Sequence, residues 1–207
     1  MYFVKVPKIV RRLYGSLVWD ITGSEQTIYL TFDDGPDPEV TPDVLSLLDA
    51  YRAKATFFCS GTMAARHSGI LGDIRAAGHG IGNHAFDHLN GWKTPDIEYI
   101  RNIGKANEVL KTSLFRPPYG KITRKQISLL RATYQIIMWS LMPGDFDPAV
   151  PGEKVVRRAI MHTKNGTIIV FHDRAQFREK MLFALEIYLK HFTEKGFSFK
   201  SIERTII

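Results

Sequence analysis

The chain has 207 residues, 44% of them hydrophobic, so it is long enough to bury one sizeable core, and no linker or repeat divides it. Its net charge of +7 favours anionic neighbours such as lipid headgroups or acidic glycans, but the basic residues are dispersed, so a nucleic-acid partner is not expected. The single cysteine, Cys59, excludes a disulfide framework.

The first 22 residues are predicted to form a covering segment, and residues 23–207 a single folded domain. Charged residues and a proline interrupt every apolar run of this segment before it reaches the length of a signal-peptide core. No later run is long enough to cross a membrane. We therefore expect a location in the cytoplasm or at the inner face of a membrane, with export by another route as the alternative.

Residues 8–19 are predicted to contain a short basic amphipathic helix with two alternative roles. In one, the segment makes peripheral contact with a membrane through Arg11, Arg12 and Trp19. In the other, it packs as a cover on the floor of the domain. Gly15 weakens a long helix and favours the packed cover.

The next stretch is a strand that ends in two carboxylates. Apolar and polar side chains alternate over residues 28–32, which predicts a strand with a buried face. Asp33 and Asp34 follow directly, and the turn at Gly35-Pro36 lets the backbone bend there. Both carboxylates can then serve one site while holding different partners.

Strands and helices alternate through the rest of the chain. Further strands are predicted over residues 54–59, 79–83, 114–116, 134–140, 167–171 and 197–202, and helices over 41–51, 62–77, 94–110, 123–132, 152–163 and 178–195. This order is typical of βαβ units with a parallel sheet, either doubly wound or closed into a barrel.

Polar residues decide between these two architectures. Those at or just after the carboxyl ends of different strands are Asp33, Asp34, His84, Arg116, Asp145 and His172. A β/α barrel gathers its chemistry at that rim. We predict a single α/β domain of about seven parallel strands that form a distorted or incomplete (β/α) barrel.

Two histidines indicate a metal site. His84 and His88 lie at i and i+4, and on one helical turn this spacing places both imidazoles on the same side. With a carboxylate from another strand end they form a ligand set typical of catalytic zinc, with open positions for water. His79 lies at the start of a predicted strand. It is expected either to have a structural role or to hydrogen-bond to one of the metal ligands.

Five ordered motifs resemble those of a known family. They are Thr31-Phe32-Asp33-Asp34-Gly35-Pro36, His84-x-x-x-His88, Arg116-Pro117-Pro118-Tyr119-Gly120, Trp139-Ser140 through Asp145, and Val170-Phe171-His172. Over residues 27–202 the chain resembles the polysaccharide deacetylases of carbohydrate esterase family 4, with the chitooligosaccharide deacetylase homology domain. The distorted β/α barrel of that family agrees with the fold predicted above.

The resemblance implies a metal-dependent hydrolase that removes the N-acetyl group from an amino sugar. The implied substrate is an N-acetylated glycan, which covers polysaccharides, peptidoglycan and oligosaccharides. Asp34, His84 and His88 would hold a divalent metal, with zinc first and cobalt, nickel or manganese as alternatives.

The resemblance also implies a role for each remaining residue of the motifs. Asp33 would be the general base toward the water that the metal activates, and Arg116 would keep it ionised and oriented. The backbone N–H of Tyr119 would stabilise the oxyanion. His172 would protonate the leaving amine, with Asp145 fixing its tautomer.

Substrate contacts are the least determined part of the resemblance. Phe146 and Val170 would form the apolar wall around the acetyl methyl group, where the family usually has Trp and Leu. Tyr119 is expected to stack on a sugar ring, and Trp92 either to stack similarly or to pack in the core. Three other departures from the family pattern are Ala85, which removes a hydrogen bond that tethers the loop, and Met142 and Gly80, which stand where acidic residues are often found.

Three alternatives stay open beside this interpretation. A catalytically inactive carbohydrate-binding homologue would usually have lost a base, an acid or a ligand, and none is lost here. A deacylase of a lipid-linked sugar would suit a basic protein. A phosphatase could use Asp33 and Asp34 as nucleophile and acid, but the histidines would then have no purpose.

Overall fold

Over residues 2–21, 23 and 25–203, which the computed structural model describes, seven strands form one curled parallel sheet. They are β1 (Thr27–Asp33), β2 (Ala55–Cys59), β3 (Gly80–Asn83), β4 (Leu114–Phe115), β5 (Gln135–Ile136), β6 (Ile168–His172) and β7 (Ser198–Phe199). The order across the sheet is β5-β4-β3-β2-β1-β6, and β7 pairs with β1. This half-barrel confirms the predicted incomplete (β/α) barrel.

Helices alternate with the strands, as the sequence predicted. They are α1 (Lys8–Leu13), α2 (Thr41–Ala50), α3 (Gly61–Arg66), α4 (Ser68–Ala76), α5 (Asp96–Leu110), α6 (Arg124–Leu130), α7 (Gly152–His162) and α8 (Arg178–Glu194). The predicted helix over 62–77 is wrong as a single element. It breaks at His67, whose φ of −121° and ψ of 49° lie outside the helical region.

Strand β1 is buried on both faces, although its alternating pattern predicted a buried face on one side. Ile28, Leu30 and Phe32 pack in one core cluster together with residues of α2 and α8. On the opposite face, Thr31 donates its hydroxyl to the carbonyl of Ile169 at 2.7 Å. A polar residue in this strand is therefore buried because it finds a partner inside the barrel.

The two edges of the half-barrel are joined by a seam, which we define as residues 137–142. The predicted strand over 134–140 is regular only in β5. Beyond it the chain changes partners, because Ile137 pairs with Val18 while Leu141 pairs with Ile169 of β6. A side-chain pattern cannot show such an exchange of partners within a few residues.

The N-terminal segment lies along this seam, whereas we had expected it on the barrel floor. Lys5 forms a bridge with Leu141. Val6, Leu17 and Trp19 are buried in the same core cluster as Trp139 of the seam. The predicted boundary at residues 22–23 includes Thr22, which lies outside the described residues.

The hypothesis of membrane contact through Arg11, Arg12 and Trp19 stays a prediction, and the structure gives the surroundings of the three side chains. Trp19 is buried and donates its indole N–H to the carbonyl of Tyr14 at 3.1 Å. Arg11 is held by Asp20 at 2.5 Å. Only Arg12 of the three is exposed. Among the residues that the structure describes, no helix has both the length and the apolar character needed to cross a bilayer.

We expect Gly82→Ala to lower the free energy of unfolding by about 1–3 kcal/mol, the usual effect of overpacking. A methyl group at Gly82 of β3 would overlap the ring of Phe58, which lies 4.0 Å beneath the guanidinium of Arg116. Urea denaturation would measure the change. Gly72→Ala on α4 is the control, since its methyl group meets no described atom within 4 Å and should raise stability by roughly 0.5–1 kcal/mol. Equal losses in both variants would contradict this account.

Candidate active site and metal centre

The residues predicted to share a site come together at the carboxyl ends of the strands. Asp33 ends β1 and lies opposite His172, which ends the neighbouring strand β6. His84 follows β3 and Arg116 follows β4, and these two strands are also neighbours. Asp145 reaches the same place from the loop after the seam, where it bonds to His172. The strand-end pattern in the sequence therefore predicted the gathering correctly.

Arg116 is fully buried and orients Asp33. Its guanidinium donates to Oδ1 of Asp33 at 2.7 Å and to the hydroxyl of Thr31 at 2.7 Å. It also donates to the carbonyls of Ile137 and Met138 in the seam, at 3.2 and 2.9 Å. Because Oδ1 of Asp33 is occupied by Arg116, its second oxygen is the atom available for chemistry.

Asp34, His84 and His88 form a cluster that fits one metal ion. One ligand atom from each residue lies within 4.8 Å of the others. Oδ1 of Asp34 is 3.0 Å from Nε2 of His88 and 3.6 Å from Nε2 of His84. Ligands about 2.0–2.2 Å from a zinc ion are separated by distances of this order. The three residues are those that the sequence predicted as ligands.

The ionisation states of this cluster also suit a cation. Burial lowers the pKa of His84 to about 4, so its ring is neutral at neutral pH, as a metal ligand must be. Nδ1 of His84 lies 2.8 Å from the carbonyl of Arg116, which fixes the proton on Nδ1 and leaves the lone pair on Nε2. Burial raises the pKa of Asp34, but the hydrogen bond to His88 and the charge of His172 outweigh it and hold that pKa well below its ordinary range.

The two histidines do not share a helical turn, so this part of the prediction is wrong. Residues 84–88 form an irregular loop in which Ala85 and His88 adopt positive φ angles of 62° and 54°. The i, i+4 spacing brings the imidazoles together through this folded loop instead of a helix face. Any backbone conformation that brings the fifth residue next to the first satisfies an i, i+4 spacing. The spacing alone therefore cannot distinguish a helical turn from a folded loop.

Two asparagines that sequence reasoning missed hold this loop. Oδ1 of Asn83 accepts the backbone N–H of Ala85 at 2.8 Å. Oδ1 of Asn102, on α5, accepts the N–H groups of Phe86 and Asp87 at 2.8 and 3.1 Å. The loop is therefore tethered without a hydroxyl at position 85. In the sequence, the one indication of this role was that Asn102 is a polar amide on the side of a predicted helix that faces the core.

His172 is bound by Asp145 on one side of its ring. Asp145 is fully buried and accepts the backbone N–H of His172 at 2.7 Å, and Nδ1 of His172 lies 3.2 Å from Oδ1 of the same carboxylate. Burial lowers the pKa of His172, but the negative charges of Asp145 and, less strongly, Asp34 and Asp33 raise it to about 9. The imidazole is thus positioned and charged to act as an acid.

Asp173 is a further residue that sequence reasoning missed. It is buried and accepts the hydroxyl of Thr41 at 2.6 Å and the N–H of Gly35 at 3.2 Å. A side chain at Gly35 would overlap this carboxylate. Asp173 therefore fixes the turn that follows Asp34. Thr41 is the first residue of α2, and it donates its hydroxyl to Asp173.

A cavity of about 460 Å³ opens onto these residues, a size that suits a small ligand. Tyr119 and Phe146 line it, and the Phe146 ring lies 4.9 Å from that of His172. Val170, predicted beside them, is fully buried in the barrel interior and is not among the described residues that line the cavity. Trp92 is 59% exposed, so the core alternative for it is wrong.

The remaining departures from the expected motifs lie in different places. Met142 is buried and lines the cavity. Gly80 begins β3 at the far end of the strand from the site, and a methyl group there would meet the hydroxyl of Thr56 at 2.9 Å. His79 lies at the same far end, where its Nδ1 accepts the N–H of Ala55 at 3.2 Å. Its role is structural.

We expect the protein to bind one divalent cation per chain and His88→Ala to weaken zinc binding by more than about 100-fold. Loss of a ligand exceeds the 10- to 100-fold effect that supporting residues typically have. Competition with a chromophoric chelator would measure the affinity. His67→Ala is the control, because His67 lies at the break between α3 and α4. Unchanged affinity in His88→Ala would remove this residue from the ligand set.

Comparison with known proteins agrees with this site. Residues 20–135 match the family model described as Polysaccharide deacetylase. A peptidoglycan-N-acetylglucosamine deacetylase of Bacillus cereus is 33% identical over 199 residues, which cover 93% of this chain and 93% of that protein. A chitooligosaccharide deacetylase of Azorhizobium caulinodans is 33% identical over 162 residues, covering 74% of this chain and 76% of that protein.

Solved structures show the same relationship. The crystal structure of a peptidoglycan N-acetylglucosamine deacetylase in complex with 4-naphthalen-1-yl-N-oxidanyl-benzamide has a TM-score of 0.87 at 28% identity and covers 95% of each chain. A Bacillus anthracis protein named a CE4 family pseudoenzyme shares the fold at 20% identity, with a TM-score of 0.80, covering 89% of this chain and 66% of that one. The chain belongs to the polysaccharide deacetylase family, carbohydrate esterase family 4.

Proposed function

We propose that this protein hydrolyses the N-acetyl group of an amino sugar in an N-acetylated glycan, releasing acetate and a free amine. The observation that carries the proposal is the convergence of a candidate base, Asp33, and a candidate acid, His172, on neighbouring strands beside the metal-binding cluster. Relatives named as peptidoglycan and chitooligosaccharide deacetylases support the same substrate class.

The cluster of Asp34, His84 and His88 would hold the divalent cation, most simply zinc. When bound, the cation would lower the pKa of a water molecule toward about 7 and polarise the amide carbonyl. Asp33 would receive the proton of that water on Oδ2, the oxygen that Arg116 leaves free. Because Arg116 is buried and holds four hydrogen bonds, the base is fixed in one orientation before the substrate arrives.

His172 would complete the reaction by protonating the amine as the C–N bond breaks. Its Nδ1 is engaged by Asp145, so Nε2 is the atom that donates the proton. The backbone N–H of Tyr119 would donate to the carbonyl oxygen as negative charge develops there. Tyr119 has a positive φ of 58°, a conformation that non-glycine residues adopt at sites where the surrounding structure imposes it.

An inactive, purely binding role is less well supported by the residues. The likeness to a pseudoenzyme concerns the fold alone, since only 20% of residues are identical. Here the base, the acid and the three ligands are all present in one site. Acetate release from N-acetylglucosamine oligomers and from peptidoglycan, compared between zinc-loaded and chelator-treated protein, tests the proposal. Absence of acetate from every glycan with the metal bound would overturn it.

We expect Asp33→Asn to lower kcat by about 10²- to 10⁴-fold, because it removes the proton acceptor. Zinc affinity should stay within a few-fold, since Asp33 is outside the ligand set. Asp43→Asn, which affects an exposed carboxylate paired with Arg178, is the control and should leave kcat unchanged. A folded, zinc-loaded Asp33→Asn protein with a tenth or more of the wild-type kcat would exclude Asp33 as the base.

We expect Asp145→Asn to move the alkaline limb of the kcat profile to lower pH by about one unit or more. A raised pKa keeps His172 protonated as pH rises, so the acid is lost only as the pH passes this pKa, about 9 before the charge of a bound cation lowers it. Removing the carboxylate charge lowers the pKa of His172, and the acid is then lost earlier. Asp147→Asn in the same loop should leave the limb in place. An unmoved limb in Asp145→Asn would show that His172 is not the group that titrates.

A further inference from the structure

A second cavity, of about 340 Å³, lies between the N-terminal segment and the barrel. We call it the seam groove. Val10, Tyr14 and Leu17 line it from the N-terminal segment, and Ile122 and Met138 line it from the barrel. All three tryptophans of the chain also line it, namely Trp19, Trp92 and Trp139.

The seam groove adjoins the catalytic cavity. Five residues line both, namely Tyr2, Tyr119, Lys121, Trp139 and Met142. A ligand in the catalytic cavity therefore has the apolar walls of the groove beside it.

The chemistry of the groove suits a hydrocarbon better than a sugar. The indole N–H groups of Trp19 and Trp92 are donated to backbone carbonyls, so they are not available to sugar hydroxyls. Among the described residues that line it, Lys121 is the one charged side chain, and its ammonium lies 3.8 Å above the Trp92 ring. Beside the indoles and Lys121, the hydroxyls of Tyr2, Tyr14 and Tyr119 are the polar side-chain groups of the lining, so a glycan would find partners for only a few of its hydroxyl groups here.

We propose that the seam groove binds the hydrocarbon portion of an amphiphilic N-acylated amino sugar while the amide lies in the catalytic cavity. This inference rests on the proposed function and narrows its substrate class. The hydrocarbon has two sources, an alkyl group on the glycosidic oxygen or a long N-acyl chain. Both place methylene groups against the same apolar walls.

Two substrate series test the inference and separate the sources. In the first, alkyl β-glycosides of N-acetylglucosamine carry methyl, butyl or octyl groups, all below their micelle concentrations. In the second, methyl glucosaminide carries N-acetyl, N-butanoyl or N-octanoyl groups. We expect KM to fall at least tenfold from the shortest to the longest chain in one series, with kcat within about twofold. Each fully buried methylene can contribute up to about fourfold.

Neighbouring residues on α1 supply matched variants. Val10 is half-buried and lines the groove, whereas Ile9 is exposed and does not. Val10→Asp should abolish the dependence of KM on chain length. Ile9→Asp should leave that dependence and kcat/KM for the methyl glycoside unchanged. Val10→Trp fills the groove without adding a charge, and it should also abolish the dependence of KM on chain length. Agreement between the two variants would show that the effect comes from the groove and not from misfolding caused by a buried charge.

A binding measurement separates failure of the groove from failure of the hydrolase. Because every tryptophan lines the groove, octyl β-glucoside, which has no N-acetyl group, should change the tryptophan emission saturably in wild type and Ile9→Asp but not in Val10→Asp. A saturable change without acetate release from any glycan would support the groove and overturn the proposed reaction. Acetate release with a flat KM series and no fluorescence response would overturn the groove and leave the reaction standing.

Discussion

The buried guanidinium of Arg116 is the interaction on which the rest of the site depends. A fully buried cation is strongly unfavourable unless it is paired and its hydrogen bonds are made, and Asp33 supplies the pairing charge. The same residue uses its main chain for a second purpose, since its carbonyl receives Nδ1 of His84. One residue thus orients the candidate base through its side chain and a candidate metal ligand through its backbone. The relative position of base and ligand is set by the covalent geometry of Arg116.

Local backbone strain adds a second constraint at the same place. Four residues of the site adopt positive φ angles although none is glycine: Asp34 at 82°, Ala85 at 62°, His88 at 54° and Tyr119 at 58°. Such conformations persist where surrounding contacts impose them. Here the contacts are Asp173 behind the Asp34 turn and Asn102 behind the histidine loop. The strand ends bring the site residues close together. Supporting side chains outside the candidate ligand set, such as Asp173 and Asn102, then fix the conformation of the loops that carry these residues.

The sequence predicts features that depend on local patterns of side chains, and it does not predict features that depend on contacts between distant residues. Strand ends are visible as apolar runs, and parallel strands share one rim, so the convergence of Asp33 on His172 followed from the order of elements. The path between His84 and His88 could not be predicted, because its shape comes from Asn83 and Asn102, which are distant partners without a local pattern. The substrate wall at Val170 could not be placed either. Val170 shares a face of β6 with His172 but lies two residues further from the strand end, and the side-chain pattern does not show how deep the cavity reaches.

The gap in the barrel is filled by residues that also form the seam groove, the proposed binding site for part of the substrate. The sheet leaves a gap between β5 and β6, and the seam fills it by pairing with β6 at Leu141 and with the N-terminal segment at Ile137. The apolar side chains that close this gap, Trp19 and Trp139 among them, also form the walls of the seam groove. A barrel closed by regular strands would have no such groove beside its catalytic rim. The candidate catalytic groups are therefore held by the strand ends, while the groove proposed to bind the hydrocarbon is lined in part by a segment outside the sheet. We expect substitutions of the groove-lining side chains of that segment, such as Val10, to alter the substrate range, because the contacts of that segment with the seam backbone that holds Arg116 are made by its own backbone at Val18.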